Sequence, residues 1–99
     1  MRITILGAGA MGSLFGGYLS KENDVWMVDV NPAVVDYINE NGVKIKEKDG
    51  EGLYHPTAVI DTKDLGTMDL VVVFVKAMFS RSALEANRGL IGPDTYIMT

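Results

Sequence analysis

MRITILGAGAMGSLFGGYLSKENDVWMVD, residues 1–29, decides how the rest of the chain is read. It opens with a short apolar run at 3–6, enough for one buried strand, which predicts a strand over 2–6. Gly7, Gly9 and Gly12 follow with the spacing G-x-G-x-x-G. Leu14, Phe15, Tyr18 and Leu19 then recur at helical spacing, predicting a helix over 10–21 with these residues as its apolar side. A second apolar run at 25–28 ends on Asp29, predicting a strand over 25–29. A strand, a glycine turn, a helix and a strand tipped by an acid are the parts that hold a dinucleotide. Gly7 allows a sharp turn, a bare Gly9 lets backbone approach a diphosphate, and Gly12 lets the helix lie close on the strand. The unpaired N–H groups of the helix's first turn and its positive dipole end would face the phosphates. Asp29 would accept hydrogen bonds from the adenosine ribose hydroxyls. The same glycines also suit a ligand-free turn, an adenine-nucleotide site or an S-adenosylmethionine site.

Composition bounds the remaining possibilities. Ninety-nine residues suit one small domain. At 47% apolar and 22% charged the chain can pack a core and is not a disordered type. A net charge of -4 argues against a nucleic-acid partner, because no basic face is available for phosphate. Without cysteine there are no disulfides and no thiolate metal sites. The start shows no signal-peptide layout, and the apolar run at 70–75 is too short to cross a bilayer. These features predict a cytoplasmic domain that does not engage a membrane.

Strand-like and helix-like stretches alternate along the chain, which predicts an α/β fold with a doubly wound parallel sheet. Asn31 and Pro32 form a helix start, Val34, Val35 and Ile38 its apolar side, and Gly42 its end. Residues 43–60 read as a peripheral hairpin, turning at 48–52, followed by a short strand over 58–60 that joins the main sheet. Residues 62–65 read as a single helical turn closed by Gly66. The β-branched run from Asp69 to Lys76 predicts a strand covered on both faces. Lys76 would stand at the carboxyl edge of the sheet, where such folds bind ligands. A helix over 80–88 and the start of a further strand over 95–98 complete the map, a Rossmann-type sheet incomplete at the C-terminus.

With GAGAMGSLFG at 7–16 and VFVKA at 73–77 in view, the chain resembles the N-terminal domain of the ketopantoate reductase (2-dehydropantoate 2-reductase) family. The likeness extends over Asn41-Gly42, Leu65-Gly66, Ala83-Leu84-Glu85 and the IGPDT segment at 91–95. The resemblance implies an N-terminal NAD(P)-binding domain over 1–99 and a helical substrate domain outside this chain. It implies NAD(P)H-dependent reduction of 2-dehydropantoate to pantoate, on the way to pantothenate and coenzyme A. It assigns cofactor binding to Gly7, Ala8, Gly9, Ala10, Met11 and Gly12. Lys76 would approach the nicotinamide and the substrate. The proton-donating lysine and the asparagine of a Gln-Asn-Gly segment would both follow Thr99, leaving no catalytic residue in this chain and no turnover from it alone. A small 2-keto acid is the implied substrate, and a homodimer would form through the helical domain. Family habit favours NADP through a basic residue after the second strand. Here Asp29-Val30-Asn31 stands there instead, and a carboxylate repels a 2′-phosphate, which favours NAD.

Other side chains carry less. His55 is the only histidine and precedes a proline, with no second ligand at metal spacing. Trp26 and Tyr37 suit core or rim packing better than an adenine contact. Asp61, Asp64 and Asp69 read as turn and cap carboxylates. Two functions compete with the reductase. One is a D-2-hydroxyacid dehydrogenase acting on another branched or aromatic 2-keto acid. The other is a non-catalytic nucleotide-sensing module.

Overall fold

The computed structural model describes residues 1–7, 9–47, 50–74 and 77–98. Strand β1 (Arg2–Leu6) lies at the centre of a five-stranded parallel sheet. Helix α1 (Ala10–Leu19) carries the chain to β2 (Asp24–Val28), and α2 (Pro32–Asn41) leads away from it. The antiparallel pair β3 (Val43–Glu47) and β4 (Gly50–Tyr54) forms a separate hairpin, and β5 (Thr57–Val59) returns to the main sheet. Strand β6 (Leu70–Val73), α3 (Ala77–Ala86), a 3-10 turn (Arg88–Leu90) and β7 (Tyr96–Met98) follow. The strand order β5-β2-β1-β6-β7 is that of a doubly wound, Rossmann-type sheet, as expected. Winding proceeds outward from β1 through β2 to β5, then reverses to β6 and β7. In folds of this kind ligands bind beyond the carboxyl ends of the two strands that flank the reversal, here β1 and β6.

Period-two alternation sends side chains to two cores. Ile3, Ile5, Val25, Met27 and Val72 pack with Val35 and Ile38 of α2 and with Val43, Ile45 and Tyr54 of the hairpin. On the other face Leu6, Val71 and Val73 pack with Met68 and Leu90, flanked by Trp26, Leu65, Ala83 and Leu84. Trp26 is thus a packing residue, with the Arg2 guanidinium 4.8 Å from its ring centroid, and Tyr37 is exposed on α2.

Helix α1 corrects one expectation. Leu14, Phe15 and Tyr18 are 36%, 37% and 42% exposed, whereas Gly12, Gly16 and Gly17 are buried. A Cβ at Gly16 would lie 2.7 Å from Met27 Sδ, and one at Gly17 2.8 Å from Ile45 Cδ1. The helix therefore meets the sheet and the hairpin through its glycines, and its larger side chains turn outward. There the Phe15 ring pairs with Phe74 at 5.3 Å between centroids, and Tyr18 with Tyr54 at 5.6 Å.

Boundaries shift in ways local chemistry explains. Helix α1 stops at Leu19, where the Ser20 hydroxyl donates to Gly17 O at 2.7 Å and Asn23 Nδ2 donates to Leu19 O at 3.0 Å. Helix α3 begins at Ala77 and ends at Ala86, because Asn87 Nδ2 donates back to Ala83 O at 2.7 Å. The hairpin's second strand resumes at Gly50, earlier than expected. The outer edge of β5 is closed by Asn39, whose amide accepts from Ala58 N at 2.8 Å and donates to Ala58 O at 2.9 Å. Two of the expected turn carboxylates are in place. Asp69 Oδ2 accepts from Arg2 N at 2.7 Å, and Asp61 Oδ1 accepts from Lys63 N at 3.2 Å.

Candidate functional site: the carboxyl edge of β1, β2 and β6

Register sets the site. The pairs Leu6↔Val28 and Leu6↔Val73 are the last of their ladders. Gly7 N then donates to Val28 O at 2.9 Å, and Phe74 N donates to Leu6 O at 2.9 Å. Gly7, Asp29 and Phe74 consequently leave the sheet side by side.

Gly7 has φ 109, a conformation that L side chains rarely adopt. The turn it makes delivers the chain to Gly9, the N-cap of α1, with φ -71 and ψ -171. Among the described residues no side chain caps this helix. The first intrahelical bond is Ser13 N to Gly9 O at 2.8 Å, so the amides before it lack intrahelical acceptors. A Cβ at Gly9 would meet nothing within 4 Å among the described residues, which leave the space over this backbone open. A Cβ at Gly12 would instead collide with the Gly7 carbonyl oxygen and approach its carbon to 3.1 Å. The three motif glycines thus do three different things: one bends the chain, one leaves it bare, and one lets the helix close on the turn.

Ala10 and Met11 form the first turn of α1. Ala8 and Lys76 lie outside the described residues, so the expectations placed on them receive no geometry here. Asp29 is half-buried at the tip of β2, where its N–H donates to Val59 O at 3.2 Å. Its Oδ1 accepts from Asn31 N at 2.9 Å, a short turn that holds the carboxylate in one orientation. Beside it, Val28, Val30 and Ile60 border a cleft of about 310 Å³ that Ala86 and Asn87 close from the α3 side. Phe74 reads in the sequence as one more apolar strand residue; its bond to Leu6 O and its ring contact with Phe15 place it on the rim. His55 is exposed, and among the described residues no group of three or more His, Cys, Asp or Glu is arranged to hold a metal ion. No helix among them is long and apolar enough to cross a membrane.

Known proteins share this arrangement. The family model described as Ketopantoate reductase PanE/ApbA matches residues 3–99. The 2-dehydropantoate 2-reductase of Lactococcus lactis subsp. lactis is 36% identical over 101 residues, covering 99% of this chain and 32% of that protein. The ternary structure of D-mandelate dehydrogenase with NADH and anilino(oxo)acetate is similar, with a TM-score of 0.82 and 33% identity over 98% of this chain and 32% of that one. A PanE/ApbA family ketopantoate reductase from Ralstonia eutropha JMP134 superposes with a TM-score of 0.85 at 25% identity, over the whole chain and 33% of that structure. The chain spans about a third of the length of the relatives it matches. With the glycine turn, the strand order and the family match over 97 of its residues in agreement, this chain belongs to the PanE/ApbA ketopantoate reductase family.

Proposed function

We propose that this chain is the NAD(P)-binding domain of an enzyme that reduces 2-dehydropantoate to pantoate in the cytoplasm. The observation that carries this is the uncapped amino end of α1 emerging next to a fixed acid, at the edge where the sheet reverses its winding. The open space over Gly9 fits a diphosphate. Backbone N–H groups of the loop formed by Gly7, Ala8, Gly9, Ala10, Met11 and Gly12 hold it. Asp29 Oδ1 is engaged by Asn31, and its other oxygen accepts from a ribose hydroxyl. The cleft edged by Val30 and Ile60 offers the adenine an apolar shelf. The family resemblance assigns Lys76 to the nicotinamide end of the cofactor and the substrate pocket. When bound, the reduced nicotinamide supplies the hydride for the keto carbon. The proton for the oxygen comes from a helical substrate domain, which also forms the dimer contact. The 99-residue chain alone binds cofactor without turnover; ketopantoate reduction by it would contradict this.

A carboxylate at position 29 repels a 2′-phosphate and suits a free hydroxyl, so the cofactor is NAD. Titrating the purified chain with NADH and NADPH tests this directly. Asp29→Ala should weaken NADH about tenfold, the loss of one hydrogen bond to a charged group, and relieve the penalty on NADPH. Unchanged affinities for both would show that Asp29 does not touch the ribose. A second reading, a D-2-hydroxyacid dehydrogenase, is favoured by the 33% identity to D-mandelate dehydrogenase, which matches that to the reductases. Assaying a protein that carries this domain with its substrate domain against ketopantoate and phenylglyoxylate separates the two.

A further inference from the structure

Two of the helices that begin at the carboxyl edge, α1 and α2, are finished in opposite ways. Helix α1 begins at a glycine without a side-chain cap, while every amino-terminal donor of α2 is accounted for. Asn31 N donates to Asp29 Oδ1 at 2.9 Å. Pro32, the first helical residue, has no N–H. Ala33 N donates to Asn31 Oδ1 at 3.0 Å, and Val34 N to Asn31 O at 3.1 Å. Val35 N, at 3.2 Å from the same carbonyl, is already the first regular helical bond. All four positions that a helix start ordinarily leaves unsatisfied are therefore closed. The segment 29–36 also contains no basic residue and two acids, Asp29 and Asp36.

This matters because a ribose held by Asp29 would carry its 2′ position toward the start of α2. We propose that Asn31 and Pro32 are specificity-determining residues that seal α2 against a 2′-phosphate and so reinforce the choice of the unphosphorylated dinucleotide. The inference rests on the dinucleotide reading of the site and adds a second layer to it. Asp29 repels the phosphate, and the sealed helix denies it the donors that would compensate. Removing the acid alone then lifts the repulsion and frees a single amide, Asn31 N, while the Ala33 and Val34 amides stay engaged and Lys63, in the lining of the neighbouring cleft, is unchanged.

The test compares NADH and NADPH affinities, by cofactor fluorescence, for the wild-type chain, Asp29→Ala and the triple variant Asp29→Ala/Asn31→Ala/Pro32→Ala. Asn31→Ala frees the Ala33 amide, and Pro32→Ala adds a donor at the first helical position. The triple variant should bind NADPH at least about tenfold more tightly than Asp29→Ala does, with NADH changed less than about twofold. Asp29→Ala/Asn31→Ser keeps a capping oxygen and should retain the Asp29→Ala ratio. Simple loosening of the helix would weaken both cofactors together and leave their ratio unmoved. An unmoved ratio in the triple variant, with NADH still bound, overturns the proposal, as does a wild-type chain that binds NADPH as tightly as NADH. A wild-type chain that binds neither overturns the dinucleotide reading itself.

Discussion

Gly12→Ala is the most informative single substitution in the glycine turn. Its Cβ would fall well inside van der Waals contact with the Gly7 carbonyl oxygen, 3.1 Å from that carbonyl's carbon and 3.5 Å from Ile5 Cγ2. Two of these atoms are backbone, so no rotamer change relieves the contact; α1 must lift from the turn or Gly7 must leave φ 109. Overpacking of this kind costs roughly 1–3 kcal/mol, and a backbone obstacle places it toward the upper end. Replacing a helical glycine by alanine returns up to about 1 kcal/mol of propensity. The net is a destabilisation of about 2 kcal/mol, or about 10 °C in Tm for a domain of this size. Gly9→Ala is the internal control. Its Cβ meets nothing within 4 Å among the described residues, and φ -71 with ψ -171 is open to any residue. It should leave stability within about 0.5 kcal/mol of the wild type, alanine's poorer N-cap preference offsetting the gain through the unfolded chain, while losing NADH binding. Urea denaturation followed by Trp26 fluorescence, with an NADH titration alongside, reads both quantities. An unchanged midpoint for Gly12→Ala, or a large loss for Gly9→Ala, would refute the division of labour among the glycines.

Three further outcomes follow from the packing. Thr4 is fully buried at the centre of β1 and its Oγ1 has no hydrogen-bond partner among the described residues. Thr4→Val should raise the urea midpoint, by about 1 kcal/mol, and a fall would reveal a partner for the hydroxyl. Asn39→Ala should cost about 1–3 kcal/mol and leave the Ala58 amide and carbonyl bare at the sheet edge. Concentration-dependent light scattering should rise with it, and a variant that stays monomeric and stable would remove Asn39 as the edge guard. Gly42 has φ 74, and a Cβ there would approach Tyr54 O to 2.5 Å and His55 Nδ1 to 2.8 Å. Gly42→Ala should lower stability by at least about 2 kcal/mol in thermal unfolding, and an unaltered Tm would mean that the junction between α2 and the hairpin yields easily.

Much of this molecule is local in origin and was therefore legible in its sequence. Apolar period marks β1, β2 and β6, because a strand buried on both faces must be apolar at successive positions. Asn31-Pro32 and Gly42 bound α2 because capping and positive φ are properties of single residues. The fold class and the proposed phosphate turn follow from those signals in order. Three things needed the third dimension. Helix α1 turns its glycines inward and leaves Phe15 and Tyr18 outside, because the distance between a helix and its sheet appears in no one-dimensional pattern. The Asn39 clasp on β5 joins residues 19 apart that meet only once the sheet has formed. The sealing of α2 against an anion depends on counting every donor at its start, and donors are counted in space. Hydrophobic period and turn chemistry act between neighbours in the chain, so sequence determines them; close approach and hydrogen-bond satisfaction act between neighbours in space, and only the tertiary structure decides those.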